Sequence, residues 1–223
     1  MDKKLFFSAL LKFTSGLLLV MLLLFLPAGS FAYWQGWLLI GILFVPMFAA
    51  GLVMLAKNPE LLRRRLNMRE EQGEQRQVIA GSALLFLAVF VLAGLNFRFG
   101  WLLLPRWLSW AAALLFLLAY LLYAEVLREN VWLSRTIEVQ EHQTVVDTGL
   151  YGIVRHPMYA VTVLLFLSMP LVLGSPLSFA LMLLYLPLIA KRIRNEEAVL
   201  EQGLAGYADY KKRVKYRLIP GIW

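Results

Sequence analysis

An arginine, an imidazole, a helix-starting proline and two tyrosines are compressed into Tyr151-Gly-Ile-Val-Arg155-His156-Pro157-Met158-Tyr159, and no charge follows from Met158 to Ala190. Proline suits the first position of a helix, where its missing N–H would be unpaired anyway, so the spacing predicts a helix from Pro157 with His156 in its N-cap region. The first amides of such a helix and the positive end of its dipole favour an anion. Arg155 adds a fixed charge beside them, so a carboxylate or phosphate is the ligand such a place would hold. The other reading open here is that Arg155 meets lipid headgroups and His156 merely caps. Tyr159 lies three residues beyond His156, on the same side of the helix. A desolvated tyrosine face attracts cations and suits a sulfonium or ammonium group, though tyrosines also serve as interfacial anchors. Where the uncharged run ends stands Lys191-Arg192-Ile193-Arg194-Asn195-Glu196-Glu197. Arg192 and Glu196 are i,i+4, so the cation can orient the carboxylate. A held carboxylate accepts from ribose hydroxyls or neutralises an amino group; the plain alternative is a solvated helix end.

Cysteine is absent, which excludes disulfides, thiolate nucleophiles and cysteine-based zinc sites. Both histidines, His142 and His156, lie in one polar segment without a clear set of further ligands, and no metal site is expected.

The elements that must position these groups are membrane helices. The chain has 223 residues, 61% of them hydrophobic, with a mean hydropathy of +0.69, well above the apolar content of a soluble domain. Phe13–Ala56, Val78–Phe97, Trp107–Ala124 and Met158–Ala190 carry no Lys, Arg, Asp or Glu. A span needs about 20 apolar residues, so the first run holds two spans, broken near Pro27, Gly29, Ser30 and Gly36, and it extends past the core of a cleavable signal peptide. Spans are expected near 13–29, 35–56, 78–97 and 107–126. With the N-terminus inside, only Arg98 and Arg106 of the 22 basic residues fall outside, a bias that predicts cytoplasmic termini. Trp34, Trp37, Trp101, Trp107 and Trp110 then form an outer aromatic belt. The net charge of +8 reads as topology and attraction to anionic lipid rather than nucleic-acid binding. Asn58-Pro59-Glu60 predicts a short interfacial helix with Leu61, Leu62 and Leu66 toward lipid. Pro170, Gly174 and Pro176 split Met158–Ala190 into two short arms, read as a tight helical hairpin whose full crossing is left open.

The expected architecture is therefore all-α: a polytopic membrane helix bundle of four N-terminal spans (1–127), then a connector, a C-terminal helical hairpin and a tail (128–223), within one domain whose cofactor pocket faces the cytoplasm. No internal repeat or interdomain linker appears. Tyr207, Tyr210, Tyr216 and the ending Arg217-Leu-Ile-Pro220-Gly-Ile-Trp223 return aromatics to the interface, to cover the pocket or to anchor.

The ordered set His142-x-x-Val145-Val146-x-x-Gly149-x-Tyr151-x-x-x-Arg155-His156-Pro157-x-Tyr159, then Glu196-Glu197-x-x-Leu200, Tyr207-x-x-Tyr210 and Val214, resembles the isoprenylcysteine carboxyl methyltransferase family and its phospholipid methyltransferase relatives. The resemblance covers roughly residues 120–223. It implies a membrane enzyme, in the cell inner membrane, that transfers a methyl group from S-adenosylmethionine to a lipophilic carboxylate or amine entering from the bilayer. By position it implies a cofactor pocket of His142, Gly149, Tyr151, Arg155, His156, Pro157, Tyr159, Glu196 and Glu197. The residues themselves offer Arg192 or Arg194 to orient a carboxylate acceptor, and Glu196 as the base for an amine. Where that family usually has glycine two residues after the motif tyrosine, this chain has Val161, which would narrow the pocket or mark a different acceptor. The ending Val214-x-Tyr216-Arg217-Leu-Ile-Pro220 also resembles NADPH-dependent membrane sterol reductases, whose second motif tends to carry Arg/Asp and Cys in place of Glu196-Glu197. A non-enzymatic membrane scaffold is the third reading. Partners are a lipophilic substrate and membrane lipids; the acceptor and oligomeric state are not legible.

Overall fold

A computed structural model describes residues 3–66, 73–134, 137 and 139–223, of which the side chains of 64 and 73–76 are left aside; Arg69 and Arg135, counted above as inside charges, lie outside the described residues. The described residues form nine α-helices: α1 (Lys3–Ala28), α2 (Trp34–Lys57), α3 (Pro59–Leu66), α4 (Gly73–Phe99), α5 (Arg106–Glu129), α6 (Pro157–Val172), α7 (Pro176–Met182), α8 (Tyr185–Gly203) and α9 (Tyr207–Arg213). Five segments are long and apolar enough to cross a membrane: α1, α2, Gln77–Phe99 of α4, α5, and Pro176–Gly203. The four expected N-terminal spans are present: α1 starts ten residues and α4 five residues before the expected bounds, α5 ends three residues later, and α2 matches to within one residue at each end. Their outward faces keep large apolar side chains exposed, among them Leu84, Leu114 and Leu121, as a surface covered by lipid requires.

Helix α6 packs most extensively against α5, and α1 against α4. The α1–α4 approach depends on Gly94, where a Cβ would stand 2.6 Å from the Leu24 carbonyl oxygen and 3.0 Å from the Ala28 nitrogen. Without a hydrophobic force between helices in lipid, such close backbone packing is what association rests on.

The expected hairpin forms. Its break falls at Leu173-Gly174-Ser175, with Gly174 at φ +71 and Pro176 opening α7. Pro170 stays inside the last turn of α6 rather than ending it. The tip reaches the far end of the bundle: the Tyr33 hydroxyl, before α2, donates to the Leu173 carbonyl (2.7 Å), and the Leu104 amide, before α5, donates to that of Gly174 (3.1 Å). The 16 residues of α6 rise about 24 Å, and that suffices because the tip is received by the α1–α2 and α4–α5 turns. Trp37, Trp101, Trp107 and Trp110 are exposed at this end, and Trp34 stacks on Trp110 (5.8 Å).

At the opposite end α3 forms as expected, with the Leu61 amide donating to Asn58 Oδ1 (3.1 Å). Its outlook differs: Leu62 is buried, and Leu62 and Leu66 line a cavity inside the bundle rather than facing lipid. The helix lies across the α1–α2 opening, where Lys12 Nζ donates to the Leu66 carbonyl (2.6 Å).

Gly94→Ala should lower the stability of the detergent-solubilised protein by about 1–3 kcal/mol, the usual cost of overpacking. Gly41→Ala, whose added carbon meets nothing within 4 Å, should melt at or above the wild-type temperature; thermal unfolding of the two variants checks both.

Candidate functional site

The site grows from the segment between α5 and α6. Gly149 (φ +51) starts a 3-10 turn over Gly149–Gly152, and the Glu129 carboxylate at the end of α5 accepts from the Leu150 amide (2.9 Å). A Cβ on Gly149 would lie 1.5 Å from Glu129 Oε1, so glycine is demanded by this cap. The turn buries Tyr151 and delivers Arg155 and His156 to the start of α6, with Pro157 at its first position. His156 occupies the N-cap position, but its side chain does not cap.

That ring turns instead to Glu197. Its Nε2 lies 3.2 Å from Glu197 Oε1, a contact that requires a proton on Nε2, and the same oxygen accepts from Arg155 Nε (2.7 Å). Glu197 Oε2 accepts from Arg217 Nε (2.9 Å). Arg155 also donates to the carbonyls of Val214 and Lys215 (2.7 Å each), while the amides of Arg155 and His156 donate to the carbonyls of Tyr216 and Arg217 (2.9 Å each). The Arg155, His156 and Glu197 side chains are each 4% exposed. The two ends of the hairpin and the tail thus close on one buried carboxylate. The tail itself folds back, with Arg217 over the Trp223 ring (5.2 Å).

One helical turn away the geometry opens. Arg192 Nε donates to the Tyr159 hydroxyl (3.0 Å), which in turn donates to Glu196. The expected i,i+4 orientation of Glu196 by Arg192 is therefore relayed through Tyr159, whose ring also meets the Arg192 guanidinium (5.9 Å) and tilts against His156 (5.7 Å). These three side chains form one wall of a cleft with about 820 Å³ of empty space, part of it open to solvent. Tyr151, Arg155, His156, Tyr207 and Tyr210 also line it. Among the described residues no group of three or more His, Cys, Asp or Glu is placed to hold a metal.

Of the residues singled out from sequence, Tyr151, Arg155, His156, Tyr159, Arg192 and Glu196 converge on the cleft. Pro157 and Glu197 are buried behind it. Gly149 supports the Tyr151 turn from outside, and His142 stands exposed on a turn at φ +59, 3.5 Å from Glu141. Val161 packs in the main core and does not narrow the cleft. Connector residues that were not singled out from sequence also line the cleft: Asn130, Trp132, Ile137 and Thr144. Asn130 ends α5 and its side chain accepts from the Trp132 amide (3.0 Å). An asparagine directly after a charged helix end was the signal for that turn.

Removing the shared carboxylate should cost more than any one bond to it, since it strands buried cations. Glu197→Ala is expected to lose about 3–5 kcal/mol of stability and to release the tail, read as faster tryptic cleavage at Arg217; Glu197→Gln should lose less.

Residues 110–202 match the model of the isoprenylcysteine carboxyl methyltransferase (ICMT) family. The fold is similar to the solved structure of a eukaryotic intramembrane Ras methyltransferase, isoprenylcysteine carboxyl methyltransferase, at a TM-score of 0.51 and 19% identity over 85% of this chain and 74% of that one. No curated protein matches. The matched segment runs from α5 to α8, less than half of the chain, and takes in residues of the connector and of the hairpin mouth; over it the chain is similar to the isoprenylcysteine carboxyl methyltransferase family, and with the solved structure it shares the fold.

Proposed function

We propose that the chain transfers a methyl group from S-adenosylmethionine to a lipophilic acceptor at the cytoplasmic face of the cell inner membrane. The observation that carries this reading is the Arg192–Tyr159–Glu196 hydrogen-bonded chain on the wall of a cleft at the mouth of the hairpin. The residues present fit the cofactor. Glu196 is a held carboxylate for hydroxyl or amino groups, aromatic side chains of Trp132, Tyr151 and Tyr159 suit a sulfonium, and the cleft is concave and lined by polar and apolar groups together, as a polar cofactor with an apolar base requires. Bound there, S-adenosylmethionine supplies an electrophilic methyl group, and the chain's part is to orient the reactants and keep water away. Arg192 would orient a carboxylate acceptor; for an amine, Glu196 would take the proton.

A second cavity supports a lipophilic acceptor. About 1600 Å³ of empty space, partly open, lies between α1, α2, α3, α5 and α6. Along α6, Met158 and Tyr159 line the cleft while Thr162, Leu165, Phe166 and Met169 line the cavity. One helix thus serves the polar site and the apolar space in consecutive turns, as a substrate with a reactive head and an apolar body requires. The mouth of the cavity carries Lys12 and Arg65, and Arg65 lies over the Tyr123 ring (5.3 Å). The concentration of basic residues at this end favours the cytoplasmic orientation.

Calorimetric titration of the detergent-purified protein with S-adenosylhomocysteine, with NADPH in parallel, tests the reading. Binding of the former alone is expected, weakened about 10- to 100-fold in Glu196→Ala, the range for a lost hydrogen bond to a charged group. NADPH binding alone would make the chain a reductase, and silence from both would point to a scaffold. Thr162→Phe, which would intrude on the cavity one turn along α6 from Tyr159, should raise KM for the acceptor while leaving S-adenosylhomocysteine affinity within about twofold of wild type.

A further inference from the structure

Helix α9 begins after Gly206, whose φ of +82 turns the chain back over the cleft, and it carries two tyrosines one turn apart. With Leu204 and Val214 they form a small apolar cluster against Val139, Val145 and Leu200, separate from the main core. Both rings are buried, their centroids 5.7 Å apart, and both line the cleft. Their hydroxyls differ. That of Tyr210 donates to the Tyr151 carbonyl (2.8 Å) and so fastens α9 to the turn before Arg155. That of Tyr207 is buried and has no hydrogen-bond partner among the described residues, in a side chain of a residue only 4% exposed. Folded proteins seldom leave such a group unpaired, and an exception calls for a reason.

Burial first, then the neighbouring carboxylates of Glu197 and Glu196, raises the Tyr207 hydroxyl above its ordinary titration range. It therefore remains a proton donor at any working pH, and what it lacks is an acceptor. The fold has already ordered the ring through Tyr210 and the Leu204–Val214 cluster, so a ligand would meet a donor whose position is set beforehand. The other buried orphan atoms, Gln35 Oε1 and Ser109 Oγ, lie elsewhere: both side chains approach Gly174 at the hairpin tip.

We propose that Tyr207 is a binding residue of the cleft, donating its hydroxyl hydrogen bond to a lone-pair nitrogen or oxygen of the bound S-adenosylmethionine. The proposal rests on the methyltransferase reading above. It separates two tyrosines of like chemistry by what each was left to do: Tyr210 holds the wall together, and Tyr207 serves the ligand.

The test compares full-length wild type, Tyr207→Phe and Tyr210→Phe in the same detergent, by thermal unfolding without ligand and by calorimetric titration with S-adenosylhomocysteine. Tyr207→Phe should unfold at or above the wild-type temperature, since it loses only an unpaired group, and bind about tenfold more weakly. Tyr210→Phe should unfold at a lower temperature, because the fold uses its bond. Wild-type affinity in Tyr207→Phe would overturn the proposal, as would a loss of ligand-free stability matching that of Tyr210→Phe. If wild type itself fails to bind S-adenosylhomocysteine, the methyltransferase reading falls and this inference with it, an outcome distinct from binding that ignores Tyr207.

Discussion

A single buried carboxylate holds the functional end of this protein together. Glu197 accepts from Arg155, His156 and Arg217, which reach it from the start of α6 and from the tail. A carboxylate taken out of water is tolerable only where charge and hydrogen bonds replace its hydration. Each partner is correspondingly constrained: Arg155 spends its remaining bonds on tail carbonyls, and the tail returns its backbone to the amides of Arg155 and His156. The hairpin mouth cannot open without breaking several of these at once. The neighbouring Arg192, Tyr159 and Glu196 inherit a fixed frame without being part of it.

This division of labour explains why two adjacent glutamates differ in fate. On α8, Glu197 points into the protein and Glu196, one residue earlier and about 100° around the helix, faces the cleft. One is consumed by structure; the other keeps its carboxylate at the wall where a ligand would lie. Arg155 and Arg192 divide in the same way. The first is committed to Glu197 and the tail, whereas the second meets Tyr159 on the cleft side. Motif residues that lie close in sequence are thus shared between holding the site and forming its surface.

The hairpin links this chemistry to the bilayer. Its first arm is short for a span, yet its tip is caught by Tyr33 and Leu104 at the far end. Because α6 is fixed at both ends, successive turns of one face belong first to the polar cleft and then to the apolar cavity. One helix thereby reaches from the polar cleft into the apolar interior of the bundle.

Much of this was legible in the residues alone. Uncharged runs of sufficient length dictate the spans, because backbone polar groups in lipid must be paired within a helix; Pro157 and Pro176 mark helix starts, and Gly174 the turn, because of backbone geometry. The convergence of Tyr151, Arg155, His156, Tyr159, Arg192 and Glu196 could be anticipated, since a hairpin returns its second arm to where the first began. What only the tertiary structure decided was the use of each group. That Leu62 faces a cavity, that His142 stands apart, that Gly149 makes room for Glu129, that Asn130 and Trp132 line the cleft, and that Tyr207 rather than Tyr210 lacks a partner all depend on contacts between distant segments. Local periodicity sets which face of a helix a side chain occupies, but the neighbour it meets there is set by packing across the whole bundle.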